Sequence, residues 1–286
     1  VPAESSDDPS TEPAVDRPQP DLPAYYLPLG GGRYSATESC VGPWFPDAQH
    51  IGPPTALLVR EIERCAPRPE LQLGRITVEV LGPVPLGEVT VAVEVLRAGH
   101  TIELVGATVA AGGRPVLRAQ AWRLATSPTD EVAGGAAEAL PELPPPTVWT
   151  RPGGWGAGYL DTVEWRWLHG GFDVIGDGRA WARSRVPVVD GEQPSGPQRV
   201  AAVADSANGV AARIDMSRWL FLNTEITLHL HRIPVGEWVG IDAHTVIGRT
   251  GLGTVSATLF DTDGQVGRCA QQLTVRPRPG GTAIAR

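Results

Sequence analysis

Asp205 is the carboxylate that stands out in this chain, because it lies in Val203-Ala204-Asp205-Ser206-Ala207-Asn208-Gly209 among small and apolar residues. Burial in such a setting makes a carboxylate a better proton acceptor, which is what a general base requires. The same residue type is also a favoured helix N-cap, and a helix is expected nearby, so both roles stand open. Gln271 is the second candidate. Alternation along a strand from Cys269 to Val275 puts Cys269, Gln271, Leu273 and Val275 on an apolar face, with Ala270, Gln272, Thr274 and Arg276 opposite. An inward amide needs partners, since leaving it unsatisfied costs ~1–3 kcal/mol. Gln271 therefore serves either a site or a structural hydrogen bond. Further upstream, alternation groups Thr224 with Ile226, Leu228 and Leu230, and Asn223 with Glu225, Thr227, His229 and His231. A bulge at that strand end would exchange the two faces. His229 and His231 have no third ligand close in sequence and read as a solvated sheet face, so no metal is expected.

Other chemistries lack their residues. The chain has no G-x-S-x-G elbow, no phosphate loop with Lys, no H-E-x-x-H and no G-x-G-x-x-G after a strand. After Asp205 it runs Ser-Ala-Asn-Gly-Val-Ala, without the His that a hydratase would need about five residues on. Cys40, Cys65 and Cys269 are odd in number and far apart, and are expected to be buried free thiols. No cofactor is implied. All 24 basic residues are Arg, against 32 acids, for a net charge of −8. Six of those acids fall in residues 1–24, so the remainder is nearly neutral and no nucleic-acid partner is expected. No window approaches the ~20 apolar residues of a membrane span, and nothing near the start reads as a signal peptide. A soluble, cytoplasmic protein is the expectation.

The elements that would position these residues occur twice. Residues 1–24 read as a disordered acidic, Pro-rich tail and 127–152 as a Pro/Gly/Ala-rich linker. Between and beyond them, 25–126 and 153–286 repeat one another: Ile76–Val80 with Ile226–Leu230, Pro85–Glu88 with Pro234–Glu237, Ala107–Val109 with Ala257–Leu259, and Ala119-Gln120 with Ala270-Gln271. The offsets are 150, 149, 150 and 151. In the first copy a helix over Pro53–Arg64 precedes period-2 runs through Val89–Val95, Ile102 and Leu104, and Val116, Gln120 and Trp122. In the second, an Ala-rich stretch, Val200–Ile214, takes the helix's place before runs at 223–231, 237–247, 252–260 and 266–276. One helix covered by a long antiparallel sheet, made twice in one chain, is an α+β double hotdog.

Three segments resemble a family. Gln49–Leu58, Asn223–Pro234 and Val235–Trp238 are similar to the actinobacterial branch of acyl-CoA thioesterases of the thioesterase II type, a resemblance covering about residues 25–280. It implies hydrolysis of an acyl-CoA by a water molecule, with neither metal nor covalent intermediate. The family's catalytic Asp and Gln fall on Asp205 and Gln271, and its Ser or Thr falls on Asn223, an amide where a hydroxyl is usual; Thr224 is the alternative. His50, 155 positions before Asp205, stands at the matching place of the first copy and either faces the cleft or caps the Pro-rich helix start. Amides near Gly52 or Gly209 would hold the oxyanion. Trp44 and Phe45 would line an apolar tunnel for the acyl chain, and Arg would meet the CoA phosphates. One chain supplies both copies that other members obtain by dimerising; a homo-oligomer of such chains stays open. The missing hydroxyl at position 223 leaves a second possibility, a non-catalytic protein that binds an acyl or lipid ligand.

Overall fold

Each half of the chain lays down two short strands, then a helix, then four long strands. In the first half these are β1 (Tyr26–Gly30), β2 (Arg33–Ala36), α1 (Gly52–Arg64), β3 (Leu71–Val80), β4 (Gly87–Arg97), β5 (Ile102–Ala111) and β6 (Arg114–Ala125). The second half opens on a single turn, α2 (Tyr159–Thr162), and continues through β7 (Val163–His169), β8 (Gly178–Ser184), α3 (Gly196–Ala204) and a second turn, α4 (Ala207–Val210). It ends with β9 (Trp219–Leu230), β10 (Val239–Ile247), β11 (Leu252–Asp261) and β12 (Gly264–Pro277). The structure, a computed structural model, describes residues 23–146 and 157–279.

The strands form one twelve-stranded antiparallel sheet in the order β1-β2-β4-β5-β6-β3-β9-β12-β11-β10-β8-β7. The order is symmetric about the β3–β9 pairing, where Thr77 faces Thr227 and their hydroxyls hydrogen-bond at 3.0 Å. Those two threonines are 150 positions apart, so the pseudo-twofold axis passes between them. This is the double hotdog. The first two strands of each half were not expected: β1 and β2 have five and four residues and are interrupted by Pro28 and by Gly30-Gly31-Gly32, which hide any period-2 signal.

Helices α1 and α3 lie side by side and antiparallel beneath the sheet. The start of α1 meets the end of α3, where a Cβ on Gly52 would stand 2.2 Å from the Ala202 carbonyl oxygen. At the other end, the Glu63 carboxylate accepts from the Ser195 hydroxyl at 2.8 Å and from Gln198 Nε2 at 2.7 Å. Residues Gly52 to Arg60 of α1 are all buried, as befits a helix with sheet on one side and a helix on another. Helix α3 starts earlier than expected. Ser195 is its N-cap, accepting from the Gln198 amide at 3.3 Å, and Pro197 sits in its first turn. It ends at Ala204, so the Ala-rich stretch is two helices rather than one.

Two register expectations are corrected by the ladders. Gln271 faces Ile226 on β9, and the residue facing the equivalent Ile76 on β3 is Ala121. The counterpart of Gln271 is thus Ala121 at an offset of 150, and Gln120, one position away, is exposed. On β5 and β6 the inward residues are Glu103, Val105, Ala107 and Val109, then Leu117, Ala119, Ala121 and Arg123; Ile102, Leu104, Gln120 and Trp122 point the other way. Alternation failed there because a charged pair is buried: Arg123 binds Glu103 and donates to the carbonyls of Ile62 and Cys65 that close α1.

The tail residues 1–22 lie outside the described residues. Pro23 and Ala24 do not behave as tail, since their carbonyls accept from Ser39 Oγ and Thr37 Oγ1. The described part of the linker runs along the second half: Ala137 N donates to Gln265 Oε1 at 2.6 Å, Trp181 Nε1 to the Pro141 carbonyl at 2.9 Å, and Arg166 to that of Pro144 at 3.0 Å. Residues 147–152 of it are outside the described set. Cys40 and Cys269 are buried and Cys65 half-buried, all as free thiols. Among the described residues no helix is long and apolar enough to cross a membrane.

The helix contact sets the first expectation. Gly52→Ala should cost ~1–3 kcal/mol by overpacking against the Ala202 carbonyl, read as a lower urea midpoint. An unchanged midpoint would show that the two helices have room to part.

Candidate active site

The antiparallel helices bring the end of α3 to the start of α1. Asp205, the C-cap residue of α3 and only 3% exposed, lies there. It is not an N-cap; Ser195 holds that role ten residues earlier in the helix it begins. The Asp205 Oδ1 accepts from Asn223 Nδ2 at 2.5 Å, and its Oδ2 lies 3.1 Å from His50 Nδ1. Gln271, also buried, donates from Nε2 to the main-chain carbonyls of Asp205 (3.0 Å) and Ala204 (3.4 Å). These carbonyls are among the four that a helix end leaves without intrahelical partners. The other end of the amide, Gln271 Oε1, is buried with no hydrogen-bond partner among the described residues.

Asn223 reaches Asp205 because β9 carries a bulge. The ladder steps from Gln272↔Glu225 to Leu273↔Asn223, leaving Thr224 as the extra residue. Asn223 therefore turns inward with Phe221 and Ile226, while Thr224 is exposed and its hydroxyl donates weakly to the Gln272 carbonyl at 3.4 Å. Thr224 is removed from the substrate-facing set.

His50 enters the site from the other repeat, two residues before α1. It is not the counterpart of Asp205. Matching Gly52-Pro53 with Gly196-Pro197 puts His50 opposite Pro194 in the repeat, and the two residues meet only because the helices run antiparallel. The imidazole stacks on the Tyr159 ring at 3.8 Å and 9°. Tyr159 is fully buried, donates to the Ala202 carbonyl at 2.8 Å and accepts from the Ser206 hydroxyl at 3.0 Å. No sequence signal marked Tyr159, which sits on a single turn after a Gly-rich stretch.

His50 Nδ1 accepts from the Gly52 amide at 3.1 Å and lies 3.1 Å from Asp205 Oδ2, close enough for ring and carboxylate to interact electrostatically. The Gly52 amide is turned toward His50, and the glycine is needed for the close approach to the Ala202 carbonyl. Gly209 packs against the Phe172 ring, where a Cβ would come within 3.1 Å.

Trp44 stands further along β9, edge-on to Phe221 with ring centroids 4.9 Å apart. Phe45, its neighbour, is 37% exposed. A groove of about 510 Å³ lies on the outer sheet face, lined by Ala92, Glu94, Leu96, Thr108, Arg118 and Gln120, and none of the site residues lines it. His229 and His231 are exposed.

The pseudo-twofold partner of this site lacks its polar groups. β3 has the same bulge, at Gly74, but Leu73 replaces Asn223 and Ala121 replaces Gln271. Cys65 closes α1 where Asp205 closes α3. Arg123 takes the position of Leu273 and caps the helix instead. The polar constellation is therefore built at one end of the helix pair only.

With the geometry in place, likeness to other proteins becomes informative. Residues 41–124 match the acyl-CoA thioesterase N-terminal domain and residues 137–275 the acyl-CoA thioesterase C-terminal domain. The chain belongs to the acyl-CoA thioesterase family. Its fold recurs in an acyl-CoA thioesterase II from Mycobacterium marinum (16% identity, 90% of this chain and 97% of that one, TM-score 0.60). It recurs also in the tesB protein of Mycobacterium avium subs paratuberculosis (16%, 88% and 96%, 0.62). A hot dog protein of unknown function from Alicyclobacillus acidocaldarius is similar as well (15%, 88% and 95%, 0.67). No curated protein matches the chain.

Burial holds the His50 imidazole below the ordinary histidine range, against the opposing pull of the Asp205 charge. The unfolded chain then takes up that proton at a higher pH than the folded one, so stability is full above the unfolded value of about 6.5 and falls as pH drops below it. Between about pH 7.5 and 5.5, wild type should lose more stability in urea titrations than His50→Asn. Equal losses would show that His50 stays uncharged in neither state or both.

Proposed function

We propose that Asp205, Asn223 and Gln271 hold the water that attacks the acyl-CoA thioester, with His50 as proton partner. The observation that carries this is the buried, unpartnered Gln271 Oε1 beside a buried carboxylate. A water donating one hydrogen to Oε1 and the other to Asp205 would satisfy the orphaned oxygen and aim a lone pair away from both. Asp205 takes the proton as the water adds to the thioester carbon. The tetrahedral intermediate then collapses, the carbon–sulfur bond breaks, and the proton returns to the departing thiolate. His50 Nδ1, in contact with Oδ2, steadies the protonated carboxyl between these steps.

Asn223 does not need a hydroxyl for this role. One N–H of its amide goes to Asp205 Oδ1, and an amide carries a second N–H that can meet the water or the developing oxyanion. The substitution thus changes the means of orienting rather than removing it. Thr224, facing outward, takes no part.

Two substitutions separate these roles. Asp205→Asn keeps the size of the side chain and an acceptor for Asn223, and hydrolysis of acyl-CoAs should fall by about 10²–10⁴-fold with melting temperature little changed. Gln271→Ala removes an orienting group and should cost less. Full activity in Asp205→Asn would falsify the assignment, and a wild-type chain inert toward acyl-CoAs from short to long would leave only ligand binding.

A further inference from the structure

The inward face of the β9–β12 pair continues past the reacting position toward a fixed cation. Asn223 faces Leu273, Phe221 faces Val275 and Trp219 faces Pro277. Trp44, from the loop that also delivers His50, lies edge-on against Phe221. Above the Trp44 ring, 5.4 Å from its centroid, is the guanidinium of Arg278. Arg278 Nε donates to the Met216 carbonyl at 2.8 Å, which fixes the group's direction. It is half-buried, and it forms no ion pair with any described residue.

Among the described residues nine other arginines also have no ion pair, but seven of those are exposed, whereas Arg278 is half-buried and held in direction. Arg60, Arg123, Arg166, Arg183, Arg213 and Arg232 all meet a carboxylate. The whole chain is acidic and has no Lys. A half-buried guanidinium braced by an aromatic face and a carbonyl, with no ion pair among the described residues, is a preformed acceptor for an anion. At ~3.3 Å per residue, Leu273 to Arg278 spans about 17 Å, a distance that an extended pantetheine arm covers.

We infer that Arg278, braced by Trp44, binds the phosphates of the nucleotide end of coenzyme A. The inference rests on the hydrolytic reading and adds to it the residues that recognise the carrier. It also reassigns Trp44 from the acyl side, expected from sequence, to the CoA side. Arg276, exposed and likewise without an ion pair among the described residues, stands near enough in sequence to reinforce the local positive charge.

Two measurements on the full chain test it. Binding of desulfo-CoA, followed by calorimetry, should weaken about 10–100-fold in Arg278→Ala, the scale of a lost charge-assisted contact, and Arg278→Lys should restore part of it. In kinetics, the ratio of kcat/KM for an acyl-CoA to that for the same acyl group on N-acetylcysteamine should fall by the same factor in Arg278→Ala, through KM. Unaltered desulfo-CoA binding, or equal loss on both substrates, overturns the subsite and leaves hydrolysis standing. A wild-type chain that hydrolyses neither substrate overturns the hydrolytic reading, whatever desulfo-CoA does.

Discussion

A carboxylate buried at the C-terminal end of a helix is opposed twice. Removal from water is costly for a charge, and the helix end presents carbonyl dipoles of the same sign. Asp205 occupies such a place, and the surrounding structure consists of what makes it tolerable. Asn223 donates to one oxygen and His50 borders the other. Gln271 donates to the carbonyls of Ala204 and Asp205, so the helix end is braced from the sheet. These partners come from a helix start, a bulged strand and a second strand, and they converge only if both repeats are folded and joined. A structural role would be met more simply by an apolar residue.

The joining is the work of the Thr77–Thr227 centre. Pairing β3 with β9 makes the two sheets continuous and removes the edge that each repeat would otherwise expose. It also sets the helices antiparallel, which yields two equivalent junctions between a helix end and a helix start. The sequence has treated these junctions differently. One holds Asp205, Asn223, Gln271 and His50; the other is closed by the Arg123–Glu103 pair, with Leu73 and Ala121 at the amide positions. The two junctions share one scaffold, and the buried polar group of Asp205, Asn223 and Gln271 stands at a single end of it.

Much of this was legible from residue patterns. The four matched segments gave the twofold repeat, and alternation along β12 turned Gln271 inward. Where the patterns failed, a physical cause can be named. Period-2 counting put Thr224 inside because a bulge is invisible to it, and it misplaced the faces of β5 and β6 because a buried ion pair looks like an outward face. The identity of Ala119-Gln120 with Ala270-Gln271 suggested an offset of 151, yet hydrogen-bond register, not local identity, decides which side a residue takes. Ser195-Gly196-Pro197 was an available start signal for α3, and using it would have shown Asp205 at a helix end. Tyr159 and the meeting of His50 with Asp205 depend on tertiary packing alone.

The central claim is that a water held by Asp205, rather than Asp205 itself, attacks the thioester. A single turnover in oxygen-18 water, with enzyme in excess over acyl-CoA, tests it directly by mass spectrometry of both acid and protein. Direct attack by water places the label in the acid product on the first turnover and leaves Asp205 unlabelled. An unlabelled acid, with the label found in the Asp205 carboxylate, would mean a covalent anhydride and would contradict the account.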